Sequence, residues 1–214
     1  PLSGLRNQAG TGIIGGMERY TAIVLSADPV TLEIPGVAVL PSVQKISTVS
    51  QLYDLRLSVL GRVTTEFCFY LDDDDELPAD YLSVLDECAG HNLPLAYTDE
   101  LIRYRGGESV RKSAPYSLER HKQDVMLVHH LAMMRPEDAV RAAKRLPRGP
   151  LSVEQPLFME LAKGGAAYVP RVGYVWNRAT TGISHWPQMI AAQVRSKRLC
   201  GGGAVWRRPL CGGR

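Results

Sequence analysis

Hydrophobic positions along the chain fall into two patterns. Short unbroken runs, Tyr20 to Leu25 (YTAIVL), Val37 to Leu40, Phe67 to Leu71 (FCFYL) and Leu93 to Thr98, read as strands. Continuous β-branched and aromatic residues suit strands buried on both faces. Between them apolar residues recur at helical spacing. Val49, Leu52, Leu55 (or Tyr53), Leu57, Val59 and Leu60 predict a helix over 47–60 that ends at Gly61. Leu82, Val84, Leu85 and Cys88, with Pro78 near the start, predict a second over 78–89. Further helices are expected over 136–146 and 154–163, the latter closed by Gly164 and Gly165. Ala167 to Val169 and Val172 to Trp176 read as two late strands.

Residues 104–124 are charged and irregular and read as an excursion, followed by an apolar run, 125–134, that contains His129 and His130. In a strand those adjacent histidines would face opposite sides and could not share a metal. Residues 1–17 read as a flexible arm, 18–190 as one domain, and 191–214 as a basic, Gly-rich, disordered tail. Strands that alternate with helices predict an α/β domain with a mostly parallel central sheet and helices on both faces. Ligands of such sheets bind at the carboxyl ends of strands.

Composition narrows the setting rather than the fold. A net charge of +3 is too small to argue for nucleic acid by itself. The four cysteines form no C-x-x-C pair, which leaves a zinc knuckle or thioredoxin-type site unsupported. With no signal-peptide pattern and no apolar run of membrane-spanning length, the expected location is cytoplasmic. Gly10-Thr11-Gly12-Ile13-Ile14-Gly15 matches a dinucleotide fingerprint in spelling only, because no strand precedes it.

The chemistry concentrates after FCFYL, where Asp72, Asp73, Asp74 and Asp75 follow one another. Four adjacent carboxylates repel, and either solvent or a cation must relieve them. Mg²⁺ commonly joins one or two carboxylates to substrate phosphates. The bland alternative is a solvated acidic turn. Leu71 to Pro78 (LDDDDELP) resembles the L-D-x-D-D-x-L-x-P stretch of glycosyltransferase family 2, with one residue fewer before Pro78. Ser152 to Gly165 is similar to that family's G-E-D-x-x-L-x-x-x-L-x-x-x-G segment, with Glu154 where the family has Asp and Val153 in place of the preceding acid. Tyr168 to Arg178 is similar to its late strand pair ending in aromatic–x–Arg, so the resemblance spans roughly residues 20 to 186.

That resemblance implies a GT-A-like single domain and a metal-dependent enzyme that moves a sugar from a nucleotide-sugar donor, a UDP-sugar by preference, to an acceptor hydroxyl with inversion. It implies Asp72 and Asp73 toward the nucleotide, Asp74 as ligand of Mn²⁺ or Mg²⁺ with Asp75 in support, and Glu154 as general base. His185 would complete the metal shell or meet the diphosphate. Arg178 suits phosphate oxygens, and Asp28, ending the first strand, suits the nucleoside; a solvated arginine and an Asp-Pro turn are the alternatives. The acceptor is left open among a glycan, a small molecule and a hydroxymethylated base of phage DNA. A nucleotidyltransferase on a related sheet is disfavoured, because Ser26-Ala27-Asp28-Pro29 is no Gly-rich phosphate loop. A carbohydrate- or cation-binding domain without catalysis is the non-enzymatic alternative.

Overall fold

The computed structural model describes residues 18–26, 28–29, 31–147, 154–178 and 187–201. Strands β1 (Tyr20–Ser26), β2 (Val37–Val43), β3 (Phe67–Asp72), β4 (Leu95–Tyr104), β6 (Ala132–Met134) and β7 (Ala166–Asn177), with the hairpin strand β5 (Gly107–Arg111), form one mixed sheet. Its longest ladders are parallel: β1 with β2, β1 with β3, and β4 with β7. The short β6 inserts antiparallel between β3 and β4, and β5 extends the same edge of β4. The expected α/β class and mostly parallel sheet are therefore observed. β2 continues through Pro41, beyond the expected end, because it is an edge strand where a missing N–H is harmless.

The strand runs alternate between two cores. Cys68 and Tyr70 of β3 join Ile23 on one face, while Phe67, Phe69 and Leu71 join Ala22 and Val24 on the other. Helices α1 (Val49–Val59), α4 (Pro136–Ala143) and α5 (Glu154–Ala162) cover the first face through Tyr53, Ala139, Leu157 and Phe158. Helix α2 (Tyr81–Gly90) covers the second through Val84, Leu85 and Cys88. Thr48 starts α1 with a capping box: its hydroxyl accepts from the Gln51 N–H, and the Gln51 side chain accepts from the Thr48 N–H.

Three expectations change. The charged stretch 104–124 is not irregular throughout: it contains β5 and helix α3 (Leu118–Gln123), which Ser117 caps. The two late strands are one strand, β7, with an irregular register opposite Thr98, Asp99 and Glu100. Helix α6 (Pro187–Leu199) occupies the start of the segment expected to be a tail, because Met189 and Ala192 bury against Val49 and Leu52 of α1. The expected arm 1–17, with its glycine pattern, and the tail beyond 201 lie outside the described residues. No helix among the described residues is long and apolar enough to cross a membrane.

Candidate active site

Residues Leu25 and Asp72 are register partners on the parallel β1–β3 pair, so both strands deliver their carboxyl ends to one edge of the sheet. A turn follows, closed by the Asp75 N–H donating to the Asp72 carbonyl (3.1 Å). Glu76 and Val175 then exchange backbone hydrogen bonds and clamp the turn to β7.

The four aspartates have four different environments. Asp72 is half-buried; its N–H donates to the Tyr174 hydroxyl (3.1 Å) and its Oδ1 accepts from Arg56 Nη2 (3.2 Å). Asp73 is exposed and accepts from the Ser26 hydroxyl (2.5 Å), which in turn accepts from the Asp28 N–H (3.2 Å). Ser26 thus places Asp28 beside Asp73 at the same edge. Asp75 accepts from the Tyr174 hydroxyl at Oδ2 (2.8 Å) and from the Asn177 N–H at Oδ1 (2.7 Å). Burial is the main cause that pushes the Asp75 carboxyl up to about 7. Asp74 is exposed, and its carboxyl is held above the usual range, first by partial burial and then by the charges of Asp72 and Asp73.

This distribution bears on the metal expectation. Both Asp75 oxygens are occupied by β7, so Asp75 acts as a strut of the turn; Asp73 and Asp74 are both exposed, Asp73 engaged by Ser26 and Asp74 with like charges behind it. A cation would relieve that repulsion. Among the described residues no three His, Cys, Asp or Glu side chains converge to enclose an ion. The aspartate turn would suit a cation that takes most of its ligands from outside the protein, not a closed protein cage. His185, the expected further ligand, lies outside the described residues.

Arg56 is the residue that sequence reasoning missed. It lies in the buried stripe of α1 with Val49, Leu52, Tyr53 and Val59. Its guanidinium bridges Asp72 and Glu154, which begins α5, and lies over the Tyr70 ring. Asp72, expected at the nucleotide, and Glu154, the expected base, are therefore joined through one buried cation. The signal was present in the sequence: an arginine at a core position of a helical stripe must find anions.

The histidines also differ from expectation. His129 and His130 precede β6 rather than lying in it, and their rings pack 3.8 Å apart. His129 Nδ1 lies 2.9 Å from Glu100 Oε2, and Arg111 pairs with the other oxygen at 2.6 Å. His130 stacks on Tyr174 (4.4 Å). Burial, reinforced by nearby cations for His129 and by His129 itself for His130, holds both imidazoles well below their ordinary range, so each is neutral. Arg178 is exposed and directly follows β7, next to Asn177, which bonds Asp74 and Asp75; its guanidinium lies 5.7 Å from the Trp176 ring centroid. Buried Asp99 accepts from the Ser113 N–H and the Tyr168 hydroxyl and serves the sheet irregularity rather than the cleft.

No family model matches the chain, and no curated protein does. Solved structures do. Residues 1–349 of S. aureus TarS align over 74% of this chain and 60% of that one, with a TM-score of 0.52 and 11% identity. The same TarS segment in complex with UDP-GlcNAc aligns over 77% and 60%, with a TM-score of 0.55 and 12% identity. The chain thus spans about three fifths of the TarS segment it matches. At this identity the likeness establishes architecture: the fold is GT-A-like.

Proposed function

We propose that this chain transfers a sugar from a nucleotide-sugar donor, a UDP-sugar, to an acceptor hydroxyl, with Mn²⁺ or Mg²⁺ at Asp74 and with inversion at the anomeric carbon. The observation that carries the reading is the shared edge: Asp28, Asp72, Asp73 and Asp74 gather where β1 and β3 end, and Arg56 ties that edge to Glu154. The complex of TarS with UDP-GlcNAc, on the same fold, supports the donor class.

In this reading Asp28, Asp72 and Asp73 orient the nucleoside, and Arg178 faces the phosphates. The cation, when bound, offsets the negative charge that develops on the departing diphosphate. Glu154 accepts the acceptor's proton as the new C–O bond forms, at the start of a helix whose dipole favours a carboxylate. Arg56 keeps that carboxylate oriented until the acceptor hydroxyl replaces it as partner. Asp75 holds the turn through Tyr174 and Asn177.

A thermal-shift titration with UDP and UDP-GlcNAc, with and without Mn²⁺, tests this. A ligand at a hundred times its Kd stabilises the native state by about 2.7 kcal/mol. That predicts a manganese-dependent rise of roughly 5–10 °C for a chain of this size, abolished in Asp74→Ala. An equal rise in Asp74→Ala, or none for any nucleotide sugar, sinks the proposal. The engagement of Glu154 by Arg56 favours one second reading, a domain that binds the donor without catalysis. Donor hydrolysis in the presence of Mn²⁺ separates the two, since only the enzyme releases UDP.

A further inference from the structure

The long strands of the sheet all run one way. β3 and β4 are each antiparallel to β6, hence parallel to one another, and β7 is parallel to β4. The carboxyl ends of β4 and β7 therefore reach the edge that carries the aspartates. There Ile102 is the register partner of Trp176, and Arg103 of Asn177. Successive side chains take opposite faces. Arg103 and Asn177 share one face and are spent on the acidic turn: Arg103 pairs with Glu76, and Asn177 bonds Glu76 and the Asp74 carbonyl. The other face carries Ile102, Trp176 and, two residues beyond Ile102, Tyr104.

Both aromatic side chains on that face reach solvent. Tyr104 is 49% exposed, and its ring lies along Gly106 and Gly107, where a Cβ would come within 4.0 Å and 3.9 Å of it. Trp176 is half-buried. The His129 ring meets its indole at 5.7 Å and 62°, and the exposed Arg178 guanidinium lies 5.7 Å from its centroid. Strand geometry sets the two aromatic residues roughly 8 Å apart at their Cα atoms, one strand across and two residues along. Trp176 also joins the two halves of the site. Its neighbour Asn177 bonds the aspartate turn, and His129, against its ring, borders the same recess as Glu154.

We propose that Tyr104 and Trp176 form a stacking shelf for the acceptor, and that the acceptor is a glycan whose neighbouring sugar rings lie on the two aromatic side chains. The inference rests on the sugar-transfer reading and names its acceptor class. A pyranose presents a face of C–H groups that packs on an aromatic ring while its hydroxyls stay in water. The spacing of the shelf suits successive rings of one chain, and a small molecule covers only half of it. Single-stranded nucleic acid also stacks on aromatic residues, but it needs a cationic track for its phosphates. At this edge Arg103 is bound to Glu76 and Glu108, and the exposed carboxylates of Asp73 and Asp74 offset Arg105 and Arg178.

The test titrates the donor-free protein with cellotetraose, maltotetraose, chitotetraose, sorbitol and a thymidine oligonucleotide, followed by calorimetry and tryptophan fluorescence. Saturable binding of at least one tetrasaccharide is expected, with its monosaccharide at least about tenfold weaker and no response to sorbitol, which has hydroxyls but no ring. Tyr104→Ala is expected to weaken the tetrasaccharide about tenfold, and Tyr104→Phe, which keeps the ring, to stay within about twofold of the parent. The exposure of Tyr104 keeps folding out of the comparison. Trp176→Leu is expected to remove the fluorescence change. Absence of binding by every tetrasaccharide, equal binding of sorbitol or the monosaccharide, tighter binding of the oligonucleotide, parent affinity in Tyr104→Ala, or an undiminished fluorescence change in Trp176→Leu overturns the proposal. The titration needs neither donor nor metal. A chain stabilised by UDP-GlcNAc and Mn²⁺ that binds no tetrasaccharide refutes the shelf alone, and the converse result refutes the donor reading alone.

Discussion

Replacing Arg56 by methionine removes the guanidinium while keeping an unbranched stem in the core of α1. The parent side chain is 9% exposed and contacts Asp72 and Glu154, whose side chains are 36% and 23% exposed. Removing one partner of a fully buried ion pair costs about 3–5 kcal/mol. Here both carboxylates reach solvent, and water takes up part of their charge once the arginine is gone. The buried Arg56 Nε also has no partner among the described residues, so its desolvation is recovered in the variant. Together these reduce the expected loss to about 2 kcal/mol. For a chain of this length that is a fall in Tm of roughly 4–8 °C. Urea unfolding followed by circular dichroism measures it directly. A double-mutant cycle with Glu154→Gln should return a coupling of at least about 1 kcal/mol, since the pair is in contact. A variant within about 0.5 kcal/mol of the parent, or a cycle that closes additively, would refute the view that this cation joins the two halves of the site.

Three further outcomes follow from the same geometry. At Gly173 a Cβ would lie 2.6 Å from Thr98 Oγ1, and Thr98 is fixed by its bonds to Asp99 and Leu131; Gly173→Ala should therefore cost about 1–3 kcal/mol in denaturant unfolding. Tyr174→Phe deletes the hydroxyl that accepts from the Asp72 N–H and donates to Asp75, and should cost about 1–3 kcal/mol while weakening any manganese-dependent nucleotide shift. His121 is fully buried and its imidazole is pushed down to about 4 by burial. The unfolded imidazole titrates near 6.5, so the unfolded chain takes the proton first as pH falls. Its contribution is complete above about pH 6.5 and declines toward pH 4, by about 2 kcal/mol between pH 7 and 5. The raised carboxyls of Asp75 and Glu100 act in the opposite sense. The difference in pH slope between the parent and His121→Leu isolates the histidine, and identical slopes would contradict it.

The sequence alone determined what depends on near neighbours. Unbroken runs such as FCFYL specify a strand covered on both faces, and the structure divides its residues between the two cores with the alternation such a strand requires. Thr48 and Gln51 encode the start of α1 within four residues. The aspartates after β3 had to sit at a strand's carboxyl end, because the strand and the turn are adjacent in the chain. Tertiary structure decided what those carboxylates do. Tyr174, about a hundred residues away, engages Asp75 and leaves Asp74 to solvent. Arg56 meets Glu154 where α1 comes beside the start of α5, and β4 and β5 bring Glu100 and Arg111 beside His129. Periodicity shows which face of an element is buried, but a carboxylate's role depends on which donor or cation lies within about 3 Å of it. Only the closing of long chain loops sets those distances.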